Sequence, residues 1–249
     1  PSATNKPAMA AVDASARLEQ QPAFVLHTRP WRETSQLVEV LSARDGRLGL
    51  VARGLSSPRA QSLRAALQPW QWIGVTWLPR GELGQLRAAE ALDTAPRFPG
   101  AAVLPGFYVN ELILRLVPRQ DPLPGLYRAY AEVRQMLGEG EQLAWALRRF
   151  ERDLLTELGL WQDLGVDADG RAVDPGASYR LVPGQGLHRC SSTAAGAVVS
   201  GQALLDLQAD RCPPSPMLGS LRLPMRGVLA HHLGPRGLQS WEMAASLGR

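Results

Sequence analysis

Between residues 23 and 91 the apolar positions come in short runs cut by turn signals. Residues 23–28 alternate through Phe24 and Leu26, 36–41 are rich in Leu and Val, and Arg44-Asp45-Gly46 makes a turn into 48–52. A run at 70–78, a Pro79-Arg80-Gly81 turn and a run at 85–91 complete the set. Such runs between turn residues predict strands. Five strands in about seventy residues leave no room for crossover helices, so a small antiparallel barrel is expected. Residues 54–67 carry Ser56, Ser57, Pro58, Arg59 and Arg64, a composition that disfavours a packed element and predicts a loop mobile when unbound. Pro96 and Pro99 then mark a domain boundary within 93–100.

Beyond that boundary the period turns helical, over 103–117, 126–137 and 141–158. In the last of these Leu143, Leu147, Phe150, Leu154 and Leu158 repeat at three and four residues and predict one leucine face, with Gly159 as the stop. Residues 160–190 are Gly, Asp and Pro rich with little periodicity, and helices are expected again over 201–207, 217–233 and 238–247. Residues 1–22 are rich in Ala, Ser, Pro and Gln, lack the apolar stretch of a secretory signal, and are expected to form a disordered tail.

Composition adds that 45% of the 249 residues are hydrophobic, enough to bury a core. A net charge of +4 suggests a polyanionic partner only weakly, but its placement is uneven. Residues 23–98 hold ten Arg against six acids, and residues 99–249 hold fifteen against fifteen. Lys6 is the only lysine, so the folded part relies on arginine, whose planar fork pairs bidentately with phosphate. Cys190 and Cys212 cannot make a disulfide framework, and no run reaches the roughly 18 apolar residues of a membrane span. A soluble, cytoplasmic protein without a membrane partner is expected.

Residue availability sets several chemistries aside. A P-loop requires Gly-Lys-Ser/Thr, and the lone lysine lies in the tail. His231 and His232 are adjacent, so on a helix they point apart rather than grip one ion, and Gly234-Pro235 makes them helix-end residues. Asp163, Asp167, Asp169 and Gly170 suggest a calcium loop, but aligning Gly170 puts Gly165 and Gly176 where carboxylates are required. An Asp-Gly hairpin accounts for the cluster better. Cys190, even with His188 nearby, does not close a zinc site with the distant Cys212. No metal or other cofactor, and no catalytic residue, is expected.

Two constellations remain. On the barrel segment Arg29, Arg32, Arg44, Arg47, Arg53, Arg59 and Arg64 accompany Trp31. A positive groove with flat side chains for base stacking binds single-stranded nucleic acid, although a solvated barrel face with Trp70, Trp72 and Trp77 in the core is the plainer alternative. Trp31, between Pro30 and Arg32, fits either. On the long helix Trp145, Arg148, Arg149 and Arg152 fall opposite the leucine face and suit an acidic peptide ending in an aromatic and a free carboxylate. Spacing alone favours an ordinary charged face with Glu141, Glu151 and Asp153 as neighbours.

Particular strings, in order along nearly the whole folded chain, then resemble the RecO family. They are Ala23-Phe24-Val25-Leu26-His27-Thr28-Arg29-Pro30-Trp31-Arg32-Glu33-Thr34-Ser35, then Gly46-Arg47-Leu48-Gly49-Leu50-Val51-Ala52-Arg53-Gly54, and Leu67-Gln68-Pro69. Tyr108-Val109-Asn110-Glu111-Leu112, Leu147-Arg148-Arg149-Phe150-Glu151, and Leu233-Gly234 through Ser240-Trp241 follow. The resemblance implies a multidomain α+β protein: an OB-fold barrel over 23–95, then an α-helical domain over 100–249 with a zinc-finger-like insertion at about 160–195. It implies a mediator that is not an enzyme, binds single- and double-stranded DNA, anneals strands and, with RecR, loads recombinase onto strands coated by single-strand DNA-binding protein (SSB). DNA binding carries over to Arg47 and Arg53, and the pocket for the SSB tail to Arg148, which outweighs the charged-face reading. Zinc-containing members have two Cys-x-x-Cys pairs in the insertion; this chain keeps Cys190 alone, so packing rather than metal is expected to hold the segment. The rivals are an RNA-binding OB protein and a metal-dependent phosphodiesterase using Asp163 to Asp174.

Overall fold

The computed structural model describes residues 19–193 and 196–247, and the chain divides into two units at Ala95/Pro96. The expected tail lies mostly outside the described residues; its last two members, Gln21 and Pro22, instead open the first strand, pairing with Val75 and Gly74.

In the first unit β1 (Gln21–Trp31), β2 (Ser35–Ser42), β3 (Gly46–Arg53), β4 (Trp72–Arg80) and β5 (Leu83–Ala91) close a barrel in the order β1-β2-β3-β5-β4. Four of the five junctions are antiparallel. The fifth, β3 to β5, is parallel and only two residue pairs long, Leu50 opposite Gly84 and Val51 opposite Gln85. Gly84 is required there, because a Cβ would meet the Leu50 side chain and the Trp77 ring at 2.7 Å. Val25, Val40, Leu50, Ile73, Val75 and Trp77 fill the interior. Trp70 and Trp77 are buried, whereas Trp72 and Trp31 are half-buried.

Residues 54–67 are not the loop that composition suggests. A 3₁₀ turn at Pro58–Ala60, capped by Ser57, leads into helix α1 (Gln61–Ala66). The physical cause is burial: Leu55, Ala66 and Leu67 join the barrel core, and Arg64 donates to the carbonyls of Leu55 and Ser57, tying the segment to itself.

The second unit is built on α2 (Gly100–Leu116), α3 (Pro124–Glu139) and α4 (Leu143–Glu157). The α3 and α4 helices form a hairpin in which Glu157 caps the Leu126 amide, and Tyr130, fully buried, donates to Asn110 of α2 at 2.8 Å. A three-stranded sheet that periodicity does not reveal follows, β6 (Ser178–Val182) flanked by β7 (Gly186–Cys190) and β8 (Val199–Ser200). Helices α5 (Gly201–Gln208), α6 (Ser215–Ser220), α7 (Arg222–Leu233) and α8 (Gln239–Leu247) complete the unit. The expected single helix over 217–233 is two, broken at Leu221. Pro224 has no N–H to offer the Ser220 carbonyl, so it suits the first turn of a new helix better than the middle of a long one.

Candidate nucleic-acid and peptide interfaces

The hairpin tips of β1–β2 and β4–β5 stand on either side of the ends of β3 and β5 and enclose a cleft of about 680 Å³. Trp31, Arg32, Arg53 and Arg80 line it together with Glu33, Thr34 and Gln85. Arg32 holds a left-handed backbone (φ 55°), strained for a side chain of this kind, and it does so at the tip that turns toward the cleft. Arg29 lies over the Trp31 ring at 5.7 Å, within cation–π range.

Of the arginines singled out on this unit, the cleft gathers Arg32 and Arg53. Arg29 stands beside it through Trp31. Arg44 and Arg47 lie toward the other end of the β2–β3 hairpin, where Leu41 pairs with Arg47 and Ser42 with Gly46. Arg47 is ion-paired with the buried Glu39 at 3.2 Å, and Arg44 is 3.9 Å from Glu19. Arg59 is exposed on the 3₁₀ turn, and Arg64 serves the local fold as described. Sequence reasoning missed Arg80, which it treated only as part of a turn.

In the helical unit, α2, α4, α6, α7 and α8 border an open groove of about 340 Å³. Leu104, Pro105, Leu147, Leu218 and Trp241 supply its apolar wall, and Arg148, Arg222 and Arg226 its charge. Arg226 lies under the Trp241 ring at 4.5 Å. The α8 helix that carries Trp241 is fixed by Glu111, whose carboxylate accepts from the amides of Gln239 and Ser240 and from the Ser240 hydroxyl.

Arg148 reaches the groove from below. Its guanidinium is ion-paired with Glu151, fully buried one turn on, and Glu151 also accepts from the Tyr108 hydroxyl at 2.6 Å. Burial pushes the Glu151 carboxyl up, with Arg148 and Tyr108 opposing. Burial, then the neighbouring Glu151, push the Tyr108 phenol well up.

The helix stripe does not stay together. Trp145 is buried in the core. Arg149 and Arg152 leave the groove and converge on Asp210, each at 2.8 Å, with Glu132 and Asp153 also engaged. Burial raises Asp210, but hydrogen bonds from Arg149 and Arg152 outweigh it and hold the carboxyl below its usual range. Leu147, assigned to the core face by its period, lines the groove instead. Arg222, Arg226 and Trp241 were missed as site residues; the four-residue spacing of the two arginines was the available signal.

The acidic segment folds locally. Val166 bridges Ala172, and Asp167 accepts from the Asp169 and Arg171 amides, which makes the Asp-Gly turn a hairpin. Asp163 and Asp174 accept from Gly165 and Gly176 two residues on. Among the described residues no three His, Cys, Asp or Glu side chains are placed to share a metal ion, and no helix is long and apolar enough to cross a membrane.

The family model for the N-terminal part of recombination protein O matches residues 17–95, and that for its C-terminal part matches residues 100–224. The chain is 60% identical over 233 residues to a DNA repair protein RecO of Stenotrophomonas maltophilia (strain R551-3), covering 92% of this chain and 98% of the relative. It is 54% identical over 236 residues to that of Xanthomonas campestris pv. campestris (strain B100), covering 93% and 98%. The barrel and helical units thus correspond to the two family regions, and the chain belongs to the RecO family of DNA repair proteins.

Proposed function

We propose that the protein is a cytoplasmic, non-enzymatic mediator of DNA repair and homologous recombination. It binds DNA through the barrel, docks on the acidic C-terminal tail of SSB through the helical unit, anneals complementary strands and, with RecR, loads recombinase onto SSB-coated strands. The observation that carries this reading is the groove around Arg148: an apolar wall beside three guanidinium groups suits a peptide that ends in an aromatic ring and a carboxylate. The barrel cleft adds arginines around a half-buried tryptophan, the combination that holds a phosphate backbone while a base stacks. No bond is made or broken. The test is annealing of complementary oligonucleotides coated with SSB or with SSB lacking its tail. The protein should anneal the first pair efficiently and the second poorly; equal rates would remove the tail from the reading.

A further inference from the structure

The ion pair beneath the groove is incompletely satisfied. Glu151 Oε1 takes both the Arg148 guanidinium and the Tyr108 hydroxyl, while Oε2 is buried with no hydrogen-bond partner among the described residues. The Arg148 side chain is 10% exposed, and its Nε is likewise buried without a partner. A buried pair offsets its desolvation only when the remaining donors and lone pairs are also satisfied. Here each partner keeps one polar atom in reserve, at the floor of a groove that otherwise carries positive charge.

We propose that Glu151 is a positioning residue that couples anion binding at Arg148 to the uptake of one proton. The proposal rests on the groove being a site for a carboxylate-bearing peptide. In the empty groove Arg148 and Glu151 form a neutral pair. A ligand carboxylate on Arg148 brings a second negative charge against the shielded pair. Two carboxylates sharing one guanidinium raise each other's proton affinity, and the more buried of them is the one that binds the proton. A proton from solvent on Oε2 returns Arg148, Glu151 and the ligand carboxylate, taken together, to neutrality, and the neutral acid stays hydrogen-bonded to Tyr108. Glu151 is already pushed up by burial, which brings its titration closer to working pH.

The surrounding charges leave this role to Glu151. On its own helix the facing charge is Arg148, and from α2 it is Tyr108. Arg222 and Arg226 of α7 line the groove, α6 contributes Leu218 and Gly219, and α8 contributes Ser240, Trp241 and Ala244. Glu111 is spent on the start of α8. Glu132, Asp153 and Asp210 are engaged by Arg149 and Arg152.

The experiment measures binding of a labelled acidic peptide, ending in phenylalanine with a free carboxylate, to the full chain between about pH 5 and about pH 8. Calorimetry in buffers of different ionisation enthalpy counts the protons taken up. Wild-type affinity should rise as pH falls, by up to about tenfold per unit, with up to one proton bound per peptide. Glu151→Gln should bind at least as tightly as wild type at the alkaline end, with this slope and proton uptake gone. Tyr108→Phe removes a donor that stabilises the carboxylate, so its profile should move to higher pH; this variant carries the test if Glu151→Gln does not fold. Wild-type binding without proton uptake, or a Glu151→Gln profile parallel to wild type, overturns the coupling while leaving the peptide site in place. Absence of wild-type binding at every pH overturns the site and the coupling together.

Discussion

Arg47 on β3 reaches Glu39 on β2 at 3.2 Å, a diagonal pair on one face of the hairpin, and both side chains are largely shielded from water. Six residues further along the same strand, Arg53 is exposed and lines the cleft. Two arginines that look equivalent in sequence therefore differ in what their loss should do. Arg53→Ala should weaken binding to all oligonucleotides and lower the log–log salt slope for single strands by about 0.7 per lost phosphate contact. Arg47→Ala should instead cost stability, about 1–3 kcal/mol, because the buried Glu39 loses the guanidinium paired with it. Salt titrations and denaturant unfolding of both variants check the contrast. An Arg47 variant of unchanged stability would contradict it.

Arg148→Ala should reduce affinity for the SSB tail peptide about tenfold or more, as loss of a charge-assisted pair of ~1.5–3 kcal/mol implies. It also strands Glu151 in the interior, so a fall in melting temperature is expected with it. Arg226→Ala separates the two effects. Arg226 is exposed and its partner is the Trp241 ring, so tail affinity should fall about two- to fivefold with little change in stability. Binding to naked oligonucleotide should be nearly unchanged in both variants. Equal losses on peptide and DNA would show that the groove is not a separate site.

Asp210→Asn should destabilise the protein slightly at neutral pH and not at all in strong acid. Asp210 accepts from Arg149 and Arg152 and is held below its usual range, so its contribution is present above the unfolded-state value and disappears as pH falls through the folded one. The carboxylate is well exposed, so solvent screening limits the effect to below about 1 kcal/mol. Its left-handed backbone (φ 54°) is one that Asn also tolerates, so the charge alone is tested. Melting temperatures of both proteins should converge as pH falls below the ordinary carboxylate range; parallel curves would show the loss is not ionic.

Gly201→Ala should destabilise the protein by about 1–3 kcal/mol, a cost in the range of overpacking a well-filled interior. A Cβ at Gly201 would overlap the Asp174 carbonyl oxygen, which is backbone and cannot swing away. Tyr179, whose hydroxyl accepts from the Asp174 amide, holds that same backbone. Chemical unfolding measures the loss, and a neutral variant would mean that the segment around β6 yields freely.

Hydrophobic period and turn residues located all five barrel strands and the principal helices, because those signals are local: side chains alternate along a strand and recur every three to four residues on a helix. The same locality explains what stayed hidden. The α1 helix is held by Leu55, Ala66 and Leu67 entering the barrel core, a contact that composition does not report. The strands of the small sheet are two to five residues long, too short to show a period.

At the candidate sites the division falls between residue type and residue partner. Sequence determined that this is an arginine-based protein, that its excess charge lies in the barrel segment, and, through ordered strings, which family it belongs to. Which arginines are available was decided only by the tertiary structure. Arg148 and Arg149 are neighbours in the chain, but one residue turns the helix about 100°, enough to point one at the groove and the other at Asp210. Arg222, Arg226 and Trp241 meet Arg148 from two later helices, and Arg80 meets Arg53 across the mouth of the barrel. A guanidinium's role depends on the carboxylates and rings brought against it from elsewhere in the chain, and spacing along one element does not encode that neighbourhood.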